Sequence, residues 1–451
     1  MKKNQQLKQV ALSIFELLLF ILYLRLRALD SQSIHAPRIS FGDTRDYLLI
    51  ASQSLLSPNF WLSDKPFLIP LFFKVLGGNP NVIFMVQLYL SIFCWGILAV
   101  ACASVIRSYP LKFVAFATIL GFSLSQEIVL WDSLLLSESL HFSIAALFYS
   151  SGFWLVKKWG KFQVVLFILL AALLAFVRDP NAYMLLMAGV ILLVLMVFTQ
   201  YRLRLLLIGG AFIAIFIVSY AMSSAGGHSY TPLLNIIGMR ILPNQEYLAY
   251  FEQQGMPVSS ALLERTGTAS FWDGLAMLKD PRLDTFRGWV KEHGTIALVK
   301  FLWHYKADAI QKPLNNPVSV LAPNLYYYSA TGFTPILEGT RLSELLYPMR
   351  FGVILFWLAN MYAAFIIAFA FQQRKAIWLF PLLMILLAYP QIIFIWNTDP
   401  NDILRHALHL NVQWRLGLWL LVFFSVDYCI PLLISKLQEF SKNLKRRFAA
   451  S

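Results

Sequence analysis

Two aspartates and a lysine are the residues of this chain whose types and spacing best suit chemistry. Asp43 and Asp46 lie on a short segment with helical spacing, and Lys65 follows in the same polar stretch. A carboxylate can take a proton from a hydroxyl group, and a lysine can hold a phosphate group. The first apolar run ends shortly before this stretch, so we expect these groups to lie just outside a membrane. The alternative is a polar loop with acidic residues at a helix start, where the helix dipole favours them.

The composition indicates that lipid surrounds most of the chain. Of 451 residues, 59% are hydrophobic and 13% are charged, whereas soluble domains carry about 25% charged residues. Apolar runs long enough to cross a hydrocarbon core of about 30 Å recur along the sequence. These runs are continuous, which predicts an all-α, polytopic membrane protein rather than alternating strands. The net charge of +14 fits basic cytoplasmic loops, so no nucleic-acid partner is predicted.

The cysteines and the N-terminus argue against two other classes of protein. Cys94, Cys102 and Cys429 lie in apolar runs and none pair at metal-ligand spacing, so we predict neither a disulfide framework nor a zinc site. The chain begins with basic residues and an apolar run, as signal peptides do. No small-residue cleavage site follows this run, and we therefore predict an uncleaved first membrane span.

About ten apolar segments have the length of a membrane-spanning helix. The predicted spans are Val10–Leu29, Val82–Ile106, Leu111–Ile128, Leu134–Val156, Phe162–Val177, Asn181–Thr199, Leu203–Met222, Arg350–Phe371, Ala376–Trp396 and His409–Ile434. Prolines punctuate the first outer loop, residues 30–81, which predicts short interfacial helices rather than another crossing. The chain then divides into an N-terminal transmembrane half (1–222), a long outer segment (223–349) and C-terminal transmembrane helices with a basic tail (350–451).

Charge alternates between successive loops, which predicts the orientation in the membrane. The basic loops are predicted to be cytoplasmic and contain Arg107, Lys112, Lys157, Lys158, Lys161, Arg202, Arg204, Arg374 and Lys375. The acidic or mixed loops are predicted to lie outside and contain Glu127, Asp132, Arg178, Asp179, Asp399, Asp402 and Arg405. Both termini are therefore predicted to be cytoplasmic, in a multi-pass protein of the plasma (inner) membrane.

Ionisable residues thus gather at the outer ends of the predicted spans. Such groups are costly near the bilayer unless they are paired or hydrated, which makes them functional candidates. Where the outer loops converge, carboxylates for proton abstraction would share one cavity with cations for an anionic group. These carboxylates do not have metal-ligand spacing, so no metal site is predicted, although a divalent cation among them stays open.

Several short motifs occur in the order found in one family of membrane enzymes. Asp43-x-x-x-Tyr47 resembles the first-loop motif of GT-C (C-type fold) glycosyltransferases. Asp64-Lys65-Pro66-Phe67 resembles the acidic-Lys-Pro-Pro element of the lipid A aminoarabinose transferases, with phenylalanine in place of the second proline. Further similar elements are Gln87, Glu138 within Leu136–Leu140, Arg178-x-Pro180 and Arg405-His406. Over about two thirds of its length the chain resembles the polyprenyl-phosphate-sugar-dependent aminoarabinose and protein mannosyl transferases.

The resemblance implies a GT-C-like bundle that transfers a sugar, with inversion, from a polyprenyl-phosphate donor at the outer face. The acceptor would be a glycan, glycolipid or protein, and membrane lipids would surround the site. The resemblance implies that Asp43 is the general base, Asp132 the second carboxylate and Lys65 the ligand of the donor phosphate. The candidates for substrate binding are Tyr47, Asp46, Glu138, Arg178, Arg405 and His406. A lipid-linked donor needs no nucleotide, so a glycine-rich nucleotide loop is not expected.

Each of these roles has an alternative. Asp43 could cap its helix, Asp46 could pair with a neighbouring arginine, and Lys65 could extend along the membrane interface. Glu138 is the alternative to Asp132 as the second acid. An O-antigen ligase or polymerase would keep its essential arginines and histidine in the long outer segment. A lipid or sugar transporter would need acidic residues at mid-membrane and paired broken helices.

Overall fold

The computed structural model describes residues 2–32, 42–315, 318–321, 335–348, 355, 359, 362, 377, 379–401 and 403–449. The regular elements in these ranges are helices, and no strand occurs among them. Five described helices are long and apolar enough to cross a membrane, and one bent pair would make six. The prediction of an all-α membrane protein is confirmed at this level, while the number of ten crossings stays a prediction. The predicted span Arg350–Phe371 lies almost wholly outside the described residues, as do Arg374, Lys375 and Asp402.

The N-terminal half contains a central helix surrounded by others. Its helices are α1 (Lys2–Gln32), α2 (Gly42–Ser52), α3 (Pro58–Trp61), α4 (Leu68–Val75), α5 (Pro80–Val105), α6 (Tyr109–Phe122), α7 (Gln126–Asp132), α8 (Ser137–Lys157), α9 (Lys161–Val177), α10 (Asp179–Met196) and α11 (Arg202–Gly226). The short helices predicted for the first outer loop are present as α2, α3 and α4. Helix α8 is central, because 83% of its apolar window is buried, whereas the corresponding value for α11 is 22%.

The predicted span Leu111–Ile128 is wrong as a single helix. Helix α6 ends at Phe122, and α7 leaves the break at an angle of 55°. The hydroxyl groups of Ser123 and Ser125 bond back to carbonyls of the preceding turn, at 2.7 and 2.6 Å. The Ser123 carbonyl in turn accepts a hydrogen bond from Arg27 Nη1 at 3.2 Å. A helix can break at this depth because these side chains satisfy the backbone groups that the break releases.

Residues 230–305 of the outer segment form a helical layer with its own apolar core, whereas the buried apolar residues within 318–321 and 335–348 belong to the core of the main helical bundle. The helices of the outer segment are α12 (Tyr230–Ile236), α13 (Gln245–Gln253), α14 (Ser260–Leu263), α15 (Ala276–Lys279), α16 (Asp284–Trp289), α17 (Thr295–His304), α18 (Lys306–Asn315), α19 (Val318–Leu321) and α20 (Arg341–Leu346). The π-helical turns Ile237–Ile241 and Val290–Gly294 follow α12 and α16. Leu234, Phe251 and Leu283 are fully buried in the core of this layer.

The C-terminal helices meet the outer segment at their outer ends. They are α21 (Leu379–Leu386), α22 (Ala388–Thr398), α23 (Ile403–His406) and α24 (Leu408–Ala449). Asn235 of α12 donates to Asp399, just after α22, at 3.0 Å. Asn397 of α22 donates to the carbonyl of Ala309 in α18 at 2.9 Å. These contacts place the outer segment against the part of the bundle that carries α23.

Candidate functional site

Asp43 lies in the first turn of α2, where the helix dipole favours a carboxylate. One face of α2 is buried: Thr44 Oγ1 donates to the Leu135 carbonyl at 2.8 Å, and Tyr47 packs edge-on against Phe73. These contacts hold α2 against the turn before α8 and leave the Asp43 side chain 24% exposed. Tyr47, a predicted substrate-binding residue, is only 5% exposed, so it supports α2 rather than lining an open surface.

Lys65 reaches the two aspartates from the loop between α3 and α4. Its Nζ donates to Asp43 Oδ1 at 2.7 Å and lies 3.7 Å from Asp46 Oδ2. Burial alone would lower the pKa of Lys65, but the negative charge of Asp43 outweighs this effect and raises the pKa above its usual value. The amine is therefore protonated at neutral pH. The three residues singled out first in the sequence thus lie together.

Arg405 of α23 joins this group from the far end of the chain. Its Nη1 donates to Asp43 Oδ2 at 2.7 Å, and its Nε donates to Glu138 Oε1 at 2.6 Å. Both oxygens of Asp43 are therefore occupied, one by Lys65 and one by Arg405. Burial by itself would raise the pKa of Asp43, but the charges and hydrogen bonds of Arg405 and Lys65 hold it well below the usual value.

Arg178 and His406 continue the contacts beyond Glu138. Arg178 Nη1 donates to Glu138 Oε1 at 3.0 Å, and its Nη2 lies 3.5 Å from His406 Nδ1. His406 Nε2 lies 3.5 Å from a carboxylate oxygen of Asp399. The predicted substrate-binding residues Arg178, Glu138 and His406 are therefore connected in space, although they come from the start of α10, from α8 and from α23. The charge pattern of the sequence predicts Asp399 on the outer side but assigns it no role in the site.

We call the connected charged residues the outer ion network: Asp43, Asp46, Glu138, Lys65, Arg178 and Arg405. The network contains three carboxylates and three cations, so its formal charge is balanced. Its two ends differ in access to solvent. Lys65 and Asp43 are 19% and 24% exposed, whereas Glu138 is 1% exposed. The arrangement can receive an anionic group at the Asp43 end, and the buried Glu138 holds the arginines from behind.

Asp132 does not join the outer ion network, contrary to the expectation of two carboxylates at the rim. It is 3% exposed and forms a buried ion pair with Arg27, which we call the inner ion pair. Ser139 Oγ donates to Asp132 Oδ1 at 2.6 Å, and Arg27 Nη2 also donates to Ser91 at 3.0 Å. The cause is the break before α7, which directs that helix into the protein. The same turn buries Glu127, another carboxylate predicted at the outer surface.

Sequence reasoning missed Arg27 as a structural residue. A signal for it was present, because Arg27 falls within the predicted first span and a charge in a span needs a partner. Sequence reasoning also missed His228, which lies in the outer segment without a recognisable motif. Only the fold shows what His228 touches.

His228 fastens the Lys65 loop to the start of α10. Its Nδ1 lies 2.6 Å from Asp179 Oδ2, and its Nε2 lies 2.8 Å from the Ser63 carbonyl oxygen. Both oxygens only accept hydrogen bonds, so the ring that makes both contacts carries two protons and a positive charge. The loop also passes very close to Gly226, where a Cβ atom would stand 2.1 Å from the Ser63 oxygen.

The His228 contact predicts a pH-dependent stability. Burial lowers the pKa of His228, but the hydrogen bond and charge of Asp179 raise it, and the net shift is upward. The stabilisation is therefore complete below the unfolded-state pKa and is lost as pH rises through the folded-state pKa. We expect His228→Gln to destabilise the protein by about 1–2 kcal/mol near pH 5 and by much less near pH 9. Melting temperatures of wild type and variant across this range measure the difference.

An exposed histidine supplies the control for this experiment. His293, whose side chain is 61% exposed, lies 3.7 Å from Glu292 on the surface of the outer segment. His293→Gln should change stability little at any pH, since exposed ion pairs contribute little. A gap between wild type and His228→Gln that stays constant with pH would contradict a charged His228.

Within the described ranges, no three or more His, Cys, Asp or Glu side chains are grouped to hold a metal ion. The carboxylates of the outer ion network contact cationic side chains instead.

No protein-family model matches the chain, and no curated protein gives a significant sequence match. The likeness to GT-C glycosyltransferases therefore rests on the motifs of the sequence alone and stays a prediction.

Proposed function

We propose that this protein is an inverting membrane glycosyltransferase that takes a sugar from a polyprenyl-phosphate donor at the outer face of the membrane. The observation that carries this proposal is the position of Asp43, which lies between Lys65 and Arg405 and is partly exposed. A transfer of this kind needs a base for the acceptor hydroxyl and positive charge for the leaving phosphate. Asp43 would supply the base, and Lys65 and Arg405, each 2.7 Å from it, would supply the positive charge.

The proposed reaction is a single displacement. The acceptor oxygen attacks the anomeric carbon of the donor sugar and passes its proton to an oxygen of Asp43. The bond between the anomeric carbon and the phosphate oxygen breaks, and the phosphate keeps the electron pair. Lys65 and Arg405 stabilise the negative charge that develops on this oxygen. Atoms and charge balance without a redox partner.

Donor binding would also activate the base. In the unliganded arrangement Asp43 is a weak base, because its two oxygens accept hydrogen bonds from Lys65 and Arg405 at 2.7 Å each. A phosphate that binds Lys65 and Arg405 would compete with Asp43 for their charge and hydrogen bonds. Loss of these counter-charges would raise the pKa of Asp43 toward its usual value. The carboxylate would thus become a better base when the donor is present.

Glu138 is proposed as the residue that positions the two arginines. It accepts from Arg405 and Arg178 with the same oxygen, at 2.6 and 3.0 Å, and is buried. In this proposal Glu138 takes the place of Asp132 as the second carboxylate, and Asp132 has a structural role. The site belongs to the outer face under the predicted orientation, with about ten crossings and both termini cytoplasmic.

The proposal is tested by sugar transfer in proteoliposomes of known protein orientation. The experiment supplies radiolabelled sugars on polyprenyl phosphate, with a panel of glycan and glycolipid acceptors added to one side at a time. We expect transfer from at least one donor, only on the side that contains the outer segment, and an inverted anomeric configuration in the product. Movement of the intact labelled lipid across the bilayer without a new glycosidic bond would indicate a transporter. Transfer only from a polyprenyl diphosphate-linked glycan would indicate the ligase or polymerase alternative.

A further inference from the structure

A cavity of about 280 Å³ lies between the outer segment and α22. Its lining includes Arg240, Tyr247, Tyr305, Asp308, Lys312 and Trp396. None of these residues belongs to the outer ion network. The combination of aromatic rings with charged and hydroxyl groups distinguishes this cavity from an apolar cavity for a lipid chain.

Aromatic rings form one part of the cavity wall. The ring centroids of Tyr247 and Tyr305 are 4.9 Å apart, and Phe301 lies 4.8 Å from Tyr247. Trp396 lines the cavity from the end of α22. Aromatic side chains offer flat apolar faces, and Tyr and Trp add a polar group at the edge. Such a wall suits the apolar C–H face of a pyranose ring.

Hydrogen-bonding groups lie beside these rings. The Tyr247 hydroxyl donates to Asp308, and Lys312 Nζ donates to the same hydroxyl at 2.6 Å. Lys312 and Asp308 also form an ion pair at 2.8 Å. The side chains of Asp308 and Lys312 are about half exposed, so their remaining hydrogen-bonding capacity is open to a ligand. Acceptors and donors placed together suit the vicinal hydroxyl groups of a sugar.

Arg240 adds a positive charge to the cavity. It lies on the π-helical turn Ile237–Ile241, a rare form of helix that is frequent at functional sites. Its guanidinium group lies 4.8 Å from the Trp396 ring centroid and donates to the Trp396 carbonyl. Among the described residues, no carboxylate lies within ion-pair distance of Arg240. Burial lowers the pKa of Arg240 to about 10, so the group is still protonated at neutral pH.

We infer that this cavity binds an acidic saccharide, a sugar ring that carries a carboxylate directed at Arg240. The aromatic wall would hold the ring, and Tyr247, Asp308 and Lys312 would bind its hydroxyl groups. An anionic substituent is favoured because Asp308 pairs with Lys312, whereas no carboxylate among the described residues lies within ion-pair distance of Arg240 and the charge of Asp399 acts on it only from farther away. A guanidinium group binds a carboxylate through two parallel hydrogen bonds, which adds geometric selectivity.

The cavity is connected to the outer ion network through Asp399. Asn235 precedes the cavity residue Ile236 and donates to Asp399 at 3.0 Å, and Asp399 lies 3.5 Å from His406. A saccharide in the cavity would therefore lie near the Asp399–His406 end of these contacts. We identify this saccharide as part of the acceptor, and that identification rests on the proposed function. The binding of an acidic saccharide to the cavity does not depend on it.

The test compares two sugars that differ only at C6. Methyl glucuronide carries a carboxylate there, and methyl glucoside carries a hydroxymethyl group; the galacto pair serves as a second comparison. Binding to the full-length protein in nanodiscs is measured by saturation-transfer NMR and by competition titration. We expect the uronides to bind about tenfold more tightly than the neutral glycosides, the effect of one charged hydrogen bond. Arg240→Gln should abolish this preference, and Tyr305→Leu should weaken the binding of both sugars.

Arg282→Gln is the matched control, because Arg282 is an exposed arginine of the same segment that pairs with Asp280 and Glu264. It should leave the preference unchanged. Equal affinity for charged and neutral sugars in the unmodified protein would overturn the inference, whatever the variants do. The same titration in Asp43→Asn separates the two proposals, since binding should persist there without transfer. Transfer without any preference for uronides would refute the cavity assignment and leave the proposed function standing.

Discussion

Asp43→Asn is expected to lower kcat for sugar transfer by about a thousandfold, because an amide cannot accept the proton of the acceptor hydroxyl. The substitution keeps the shape of the side chain, and its oxygen can still accept from one of the two cations. The substitution weakens the ion pairs with both Lys65 and Arg405, and because Asp43 is partly exposed we expect a cost of about 1–3 kcal/mol of stability. Transfer assays and melting temperatures of the same purified samples measure both quantities.

Asp46→Asn is the matched control for this prediction. Asp46 lies one turn further along α2, is 47% exposed and is 3.7 Å from Lys65, so it carries the same charge near the same lysine. Asp46 does not lie between Lys65 and Arg405, so Asp46→Asn should change the rate of transfer by less than about threefold. Full transfer by Asp43→Asn would remove the general base from the mechanism. Equal large losses in both variants would show that net charge near Lys65, rather than proton acceptance, limits the reaction.

Arg27→Met is expected to destabilise the protein by about 3–5 kcal/mol, because it breaks a buried ion pair. It would leave Asp132 buried without its counter-charge, next to Ser139 and Ser91. It would also free the Ser123 carbonyl at the break between α6 and α7. Thermal unfolding in detergent, together with the yield of monodisperse protein, measures the loss.

The double variant Arg27→Met with Asp132→Leu decides between a structural and a catalytic role of Asp132. Replacement of a whole buried ion pair by apolar residues is often nearly neutral, so the double variant should recover most of the stability. If the pair is structural, transfer per folded molecule should recover as well. Recovered stability with transfer still lost by a hundredfold or so would restore Asp132 as a second catalytic carboxylate.

The prediction of Asp43, Asp46 and Lys65 as neighbours depended on features that a sequence displays. They lie in one loop region between two apolar spans, so few chain paths could separate them. In the structure Lys65 Nζ lies 2.7 Å from Asp43 and 3.7 Å from Asp46. Asp132 shows the opposite case. Its position at the end of an apolar run predicted the outer rim, but three residues between α6 and α7 turn the chain inward. A short break that contains serines hardly changes the mean hydropathy of the segment, so the bend cannot be predicted from hydropathy.

The class of the protein could be assigned from the sequence alone: a helical membrane protein with several apolar segments long enough to cross a bilayer. This assignment depends on run length and composition along one dimension, and local sequence contains both. The pairing of the charges depends on the three-dimensional packing. Arg405 reaches Asp43 across 362 positions of the chain, and His228 reaches Ser63 across 165. Such pairings follow from the packing of whole helices, and no spacing within a single segment encodes them.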